Sequence, residues 1–334
     1  MRVLVTGASG MLGGAVADLL AAQGNEVVVM QRRTAGGRHR EVLGDVTDAV
    51  AVGRAVEGAE AVVHLAAKVD VVGRWVDYRA TNVDGTRHLL DAARAAGVGK
   101  VVYVSSPSVA HSGASIVGEG SAPADDQARS HGHYARSKAM AERLALDAHG
   151  PDLAVAAIRP HLVWGPGDTQ LVGRIVDRAR RGRLVLVGSG AALVDSTYVD
   201  NAAEAIVAAL RRIDVAAGQA LVVTNGEPRP IGELVSDICR ACGAPPPRHS
   251  VPYPVAWAVG GLVEGLTAAS HRLPVVPPIQ QPPVTRFLAG QLSTAHWFDQ
   301  QRTREVLDWT PRVSLSEGLA RLRDHHAGQS RAGS

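Results

Sequence analysis

The sequence predicts an α/β protein: a doubly wound parallel sheet covered on both faces, followed by a smaller, helix-rich C-terminal lobe. Three observations carry this. Short apolar runs alternate with helical patterns through the first half of the chain, which is how strands buried on both faces of a parallel sheet read. A glycine-rich turn joins the first run to the first helix. After about residue 165 the alternation loosens, and prolines cluster at 245–254 and 274–283.

Taken in order, "RVLVTG" (2–7) is the first strand and "MLGGAVADLLAAQG" (11–24) a helix stopped by Gly24. "EVVVM" (26–30) is the second strand, and a short third segment precedes "GDVTD". "AVVHLAA" (61–67), "VVYVSS" (101–106) and "AVAAIRP" (154–160) follow. Helices fall between them, including "TNVDGTRHLLDAARAAG" (81–97) and "HYARSKAMAERLAL" (133–146). "VWGPGD" (163–168) is a loop, 170–182 a helix, "RLVLVG" (183–188) a strand, "NAAEAIVAALRR" (201–212) a helix and "ALVVTNG" (220–226) another strand. The expected organisation is a first domain over 1–165, with strands returning near 184–225 to complete its sheet. A substrate lobe covers 166–326, and 327–334 is a frayed tail.

Composition narrows the function. The chain has 334 residues, 46% apolar and 20% charged, a globular protein too large for one small core. A net charge of +3 is too small and too scattered for a nucleic-acid partner. "MRVLVTGASG" runs straight into a strand, without the pattern of a signal peptide. No run approaches the roughly 18 apolar residues of a membrane span. "PVAWAVGGLVEGL" (254–266) holds Glu264 and three glycines, and reads as a helix lining an apolar site or touching a membrane surface. Cys239 and Cys242 form one C-x-x-C, late in a helical pattern and without a second pair. Two buried or half-buried free thiols are expected there, with no metal site, in a reducing cytoplasm.

The chemistry begins at "VTGASGMLGGAV". Gly7, Gly10 and Gly13 form G-x-x-G-x-x-G between a strand and a helix, with Ser9 and Met11 in the same turn. Such a turn lets backbone approach a pyrophosphate, and the helix start offers free N–H groups. This is the Rossmann-type arrangement for a dinucleotide. NAD-binding chains usually end the second strand with an acidic residue. Here that end reads Gln31, Arg32, Arg33, and two guanidiniums suit the 2′-phosphate of NADP. NADPH/NADP+ is therefore expected over NADH/NAD+. Asp45, followed by Val46, offers a carboxylate to the adenine amino group; a turn or N-cap aspartate is the competing reading.

Reduction of a ketone needs a proton donor and a group to orient the carbonyl oxygen. Tyr134 and Lys138 lie four apart in a helix and so are neighbours. A free tyrosine has a pKa of about 10, and an ammonium beside it lowers that value. Lys138 can also reach a cofactor ribose. Ser106 ends the fourth strand of the early series, where such sheets place function.

These residues carry a resemblance. "TGASGMLG", "YARSK" and "SSPSV" make the chain similar to the extended short-chain dehydrogenases/reductases, over nearly its whole length. The resemblance implies a catalytic hydroxyl at Ser106, ahead of Val109, with Ser105 the lesser candidate. It implies a positioning role for Asn82 in "TNVDGT", a cofactor turn at Leu65, Ala66 and Ala67, and nicotinamide contacts at Pro160 and Leu162 in "IRPHLVWGPGD". "VDSTYVDNAAEA", "NGEP" and "PPVTRFLAGQLSTAHWFD" resemble the 3β-hydroxysteroid dehydrogenase-like branch, and within it the bacterial reductases of 2-alkyl-3-keto fatty acids in olefin and β-lactone biosynthesis.

The implied reaction is NADPH-dependent reduction of a 2-alkyl-3-oxoalkanoate to the 3-hydroxy acid. Trp257, Leu262, Val263, Leu266, Leu288, Leu292, Trp297 and Phe298 are candidates for an apolar groove. Lys68, Arg74, Arg159, His161 and Arg286 are candidates for the substrate carboxylate. A homodimer, assembly with enzymes of the same pathway and at most peripheral membrane contact follow from the resemblance. A 3β-hydroxysteroid or sterol dehydrogenase is the alternative, and a dinucleotide-sensing regulator without turnover a remoter one.

Overall fold

The computed structural model describes residues 1–34, 36–70, 73–111, 114–125, 132–270 and 285–332. Seven parallel strands form the main sheet, in the order Ala220–Val223, Ala154–Pro160, Lys100–Val104, Ala61–His64, Arg2–Thr6, Glu26–Gln31, Arg40–Leu43. The order reverses at the first strand, so a crevice opens between Arg2–Thr6 and Ala61–His64, where such folds bind ligands.

Alternation places the core. Val3 and Val5 face one layer with Val16, Leu20 and Ile206; Leu4 faces the other with Val52, Leu89 and Ala141. Both layers are buried, which explains the unbroken apolar strands. The Val199–Arg211 helix packs on the Met11–Ala22 helix in the first layer. Residues past 166 thus return to cover the sheet, and the two expected lobes are interleaved.

Only one expected return joins the main sheet. Ala220–Val223 pairs with Ala154–Pro160. Leu186–Val187, from the other expected strand, pairs instead with Ser250–Val251. A separate four-stranded sheet links Arg229–Pro230, Leu193–Val194, His296–Phe298 and Ile116–Glu119. The last helix runs Leu315–Ala332, so most of the stretch expected to fray is helical. The proline cluster at 274–283 and the side chain of Leu288 lie outside what is described.

Cys239 ends up buried in the Ile231–Ala241 helix, and Cys242 is buried just past it. Burial raises both thiols, Cys242 to about 11, so neither is a thiolate at neutral pH. Among the described residues no helix is long and apolar enough to cross a membrane.

Candidate active site

The glycine loop sits at the reversal point. Gly7 has φ +77°, and a Cβ there would meet Ala66 N at 2.8 Å. A Cβ on Gly13 would meet Gly7 O at 2.3 Å. Gly7 is therefore fixed by conformation and contact, Gly13 by helix–turn packing. Gly10 is the N-cap of the Met11–Ala22 helix, with no side-chain cap and no acidic residue in the first turn. Ser9 and Gly10 are exposed, while Met11 is half-buried. Open N–H groups at a helix start fit a pyrophosphate.

The floor of the crevice is a closed polar chain. Thr6 Oγ1 accepts from Leu65 N at 3.2 Å and Ala66 N at 3.1 Å, and stands 2.7 Å from His64 Nδ1. Its own proton therefore goes to Nδ1, which leaves the ring proton on Nε2, 3.1 Å from Thr86 Oγ1. Thr86 in turn donates to Asn82 O at 2.6 Å. His64 is wholly buried, and burial, aided by Lys138, lowers its pKa to about 3. It stays neutral and fixes the Leu65–Ala67 turn.

On the adenosine side, Arg32 and Arg33 are exposed and make no ion pair among the described residues. Gln31 Nε2 donates to Glu41 Oε1 at 2.7 Å, and Thr34 Oγ1 donates to Glu41 Oε2 at 2.6 Å. A carboxylate thus reaches the end of the second strand after all, from the neighbouring strand. Asp45 Oδ1 accepts from Thr47 N and Oγ1, both at 2.9 Å, so it is a turn aspartate. Asp48, not Asp45, caps the next helix. Val46 is buried against Gly85.

The catalytic candidates converge at the carboxyl end of the Lys100–Val104 strand. Tyr134 and Lys138 lie in the Gly132–Asp147 helix. The Ser106 side chain acts on the Tyr134 phenol and favours its ionised form, against the effect of burial. Ser106 also caps the short turn Pro107–Ala110, its Oγ 2.9 Å from Ser108 Oγ. Ser105 is buried and donates its N–H to Ile158 O at 2.6 Å. Ser105 Oγ is buried without a hydrogen-bond partner, and Ser106 is the serine that acts on the tyrosine.

Lys138 departs from expectation. Its Nζ donates to Val104 O at 2.6 Å and lies 4.2 Å from the centre of the Tyr103 ring. Burial lowers its pKa to about 7, against the opposing pull of Glu142. Tyr134 is not made more acidic here. Burial raises its pKa, and the Ser106 side chain offsets this in part. The phenol is held protonated, the state from which a proton can be donated.

Asn82 sits in a π-helical turn, Arg79–Asp84, a distortion common at functional sites. Its Oδ1 accepts from Lys68 N at 2.7 Å, and its Nδ2 donates to Lys68 O at 3.1 Å and to Ser137 Oγ at 2.8 Å. Ser137 donates onward to Tyr134 O at 2.8 Å. Sequence reasoning passed over Ser137, because its role depends on a partner 55 residues away.

Pro160 ends its strand and Leu162 follows with φ +42°. Leu162 and Asp308 are the non-glycine residues with positive φ among those described, a conformation costing about 1–2 kcal/mol and concentrated at functional sites. Arg159 is removed from the carboxylate candidates. It is 1% exposed, with Nε donating to Glu142 Oε2 at 2.8 Å and Nη1 to Ala122 O at 2.6 Å. Of the groove candidates, Phe298 is buried, Leu292, Val263 and Trp297 are partly covered, and Trp257, Leu262 and Leu266 are exposed. The "DNAA" and "NGEP" segments are structural ties: Asn201 and Asn225 both donate to Val313 O, at 2.7 and 2.8 Å.

Comparison with known proteins agrees with this geometry. Residues 3–224 match the NAD dependent epimerase/dehydratase family. The chain is 40% identical to a 2-alkyl-3-oxoalkanoate reductase of Stenotrophomonas maltophilia, over 97% of this chain and 98% of that one. It is 36% identical to a protein of the same name from Shewanella oneidensis, over 96% and 85% of the two. A 3 beta-hydroxysteroid dehydrogenase/Delta 5-->4-isomerase of Mycobacterium tuberculosis is 31% identical, over 95% and 88%. Among solved structures, MoeE5 in complex with UDP-glucose and NAD superposes with a TM-score of 0.74 at 27% identity, covering both chains fully. The chain belongs to the NAD dependent epimerase/dehydratase family, the extended short-chain dehydrogenases/reductases, and is an NAD(P)-dependent oxidoreductase.

Proposed function

We propose that the protein reduces a 2-alkyl-3-oxoalkanoate, a branched long-chain β-keto acid, to the 2-alkyl-3-hydroxyalkanoate with NADPH. The observation that supports the chemistry is the convergence of Ser106, on the turn that follows the Lys100–Val104 strand, with Tyr134 and Lys138, on the Gly132–Asp147 helix that binds Val104 O. Bound in the crevice, a reduced nicotinamide supplies hydride to the keto carbon. Ser106 holds the keto oxygen, and Tyr134 gives it the phenolic proton as negative charge develops. Lys138, anchored on Val104 O, offers a donor for the ribose. The open N–H groups from Met11 onward take the pyrophosphate, Leu65–Ala67 line the turn beside it, and Arg32 and Arg33 take the 2′-phosphate. Asn82, through Ser137, sets the helix that carries Tyr134.

The substrate follows from similarity beyond the dinucleotide site. The two relatives named 2-alkyl-3-oxoalkanoate reductase align along 97% and 96% of the chain, substrate half included, and at higher identity than the steroid dehydrogenase. In that setting the product feeds olefin or β-lactone formation in the cytoplasm, and the chain acts as a homodimer alongside enzymes of that pathway. The exposed Trp257, Leu262 and Leu266 suit an apolar ligand or a peripheral lipid contact.

Cofactor oxidation tests the reading. Purified protein is given NADPH or NADH with a 2-alkyl-3-keto acid, and, in reverse, NADP+ or NAD+ with a 3β-hydroxysteroid. Brisk steroid oxidation with no turnover of the keto acid would overturn it. Tyr134→Phe is expected to abolish turnover while NADPH still binds; retained turnover would remove Tyr134 as the proton donor.

A further inference from the structure

A buried histidine cluster lies where the main sheet meets the second one. His161 follows Pro160 at a strand end, His111 closes the turn that begins at Ser106, and His296 opens the His296–Phe298 strand. His111 Nε2 stands 2.7 Å from His296 Nε2, with the rings edge to face. That separation requires a proton between the two nitrogens. The His161 ring is 6.0 Å from that of His296 and 5.2 Å from that of Phe298, edge-on to both. Its Nε2 is buried without a hydrogen-bond partner, in a side chain only 7% exposed. A buried polar atom left unmatched asks for a ligand or another explanation.

Its place in the sheet suggests the ligand. Val104 pairs with Ile158; Ser106 and Pro160 each come two residues after that pair in the chain, and His161 is one residue further. In a 3-oxo acid the carboxyl carbon is two bonds from the keto carbon. Whatever holds the carboxylate must stand beside the group that holds the keto oxygen, which is Ser106. The other candidates offered by the sequence already have carboxylate partners. Lys68 holds Asp70 at 2.7 Å, Arg74 holds Asp77 at 3.2 Å, Arg286 holds Glu264 at 2.7 Å, and Arg159 is buried on Glu142.

We propose that His161, through Nε2, receives the substrate carboxylate, with the His296 and Phe298 rings fixing its orientation and the His111–His296 pair tying Ser106's turn to the second sheet. The proposal rests on the keto-acid reading above. It makes His161 the residue that separates an acid from a neutral ketone. A sterol without a carboxylate gains nothing from it.

The test compares a 2-alkyl-3-keto acid with its methyl ester in NADPH oxidation, for the natural protein, His161→Leu and His161→Gln. The natural protein is expected to prefer the acid. His161→Leu should raise KM for the acid about tenfold or more, as loss of a hydrogen bond to a charged group does, and leave KM for the ester and kcat for both nearly unchanged. His161→Gln keeps an N–H donor and should fall between them. Thermal unfolding and NADPH binding report whether the variants fold. Should the leucine variant not fold, the acid-to-ester ratio of the glutamine variant decides, and a ratio equal to the natural one overturns the proposal. Equal losses on acid and ester, or none, overturn it too while the keto-acid reading stands. A natural protein idle on both compounds removes that reading itself, and the carboxylate site with it.

Discussion

Asn82 Nδ2 donates to Ser137 Oγ at 2.8 Å, and Ser137 donates to the carbonyl of Tyr134. This pair ties the turn beyond the Ala61–His64 strand to the helix bearing Tyr134. Asn82 is also clamped to both backbone groups of Lys68, so its position does not depend on Ser137. Ser137→Ala should therefore cost about 1 kcal/mol of stability yet lower kcat several-fold with little change in KM for NADPH. Denaturant melts and steady-state kinetics check both. An unchanged kcat would reduce the bond to scaffolding.

Glu142 and Arg159 are each 1% exposed and bonded side by side. A buried guanidinium that loses its carboxylate is left with uncompensated charge. Glu142→Gln should destabilise the fold by about 3–5 kcal/mol, whereas replacing both partners with apolar residues should recover most of that. A single variant as stable as the natural protein in urea would contradict this account.

Acid should weaken the protein through its neutral buried histidines. His64 and His161 are held near a pKa of about 3, mainly by burial, against about 6.5 in an unfolded chain. Between those values the unfolded chain binds more protons. The stability they contribute is intact above about pH 6.5 and falls by up to about 1.4 kcal/mol per pH unit for each histidine below it. Unfolding midpoints measured from pH 7 to pH 5 should drop steeply, and His64→Gln should flatten the slope. An equal slope in that variant would mean that His64 titrates normally.

Much of this was legible in the chain, and the divisions are physical. Gly7 and Gly13 could be read because a Cβ at either meets backbone, a constraint local to one turn. Tyr134 and Lys138 could be read from helical period. The pairing that sets their chemistry could not. Lys138 binds Val104 O, 34 residues away, and Arg159 finds Glu142 on the helix that packs against its strand. The "RLVLVG" run has strand composition, yet only tertiary contact decides that Leu186–Val187 pairs with Ser250–Val251 and not with the main sheet. Local pattern also left Arg159 and His161 equivalent as cations, although burial gives one a carboxylate and leaves the other's Nε2 unmatched.

The end of the second strand brings together charges from two strands. Arg32 and Arg33 follow the second strand, and Glu41 reaches its end from the third through Gln31 and Thr34. A 2′-phosphate draws on the guanidiniums and is repelled by the carboxylate, while a plain ribose hydroxyl can use the carboxylate and ignores the guanidiniums. Arg32→Ala/Arg33→Ala should thus weaken NADPH by about tenfold or more with little effect on NADH, and Glu41→Gln should tighten NADPH while loosening NADH. Cofactor fluorescence titrations with the four combinations separate the cases. If the double arginine variant binds both cofactors as before, the preference does not reside in this loop. If Glu41→Gln weakens NADPH instead, the carboxylate supports the loop that holds the arginines, and its charge is subordinate to its bonds with Gln31 and Thr34.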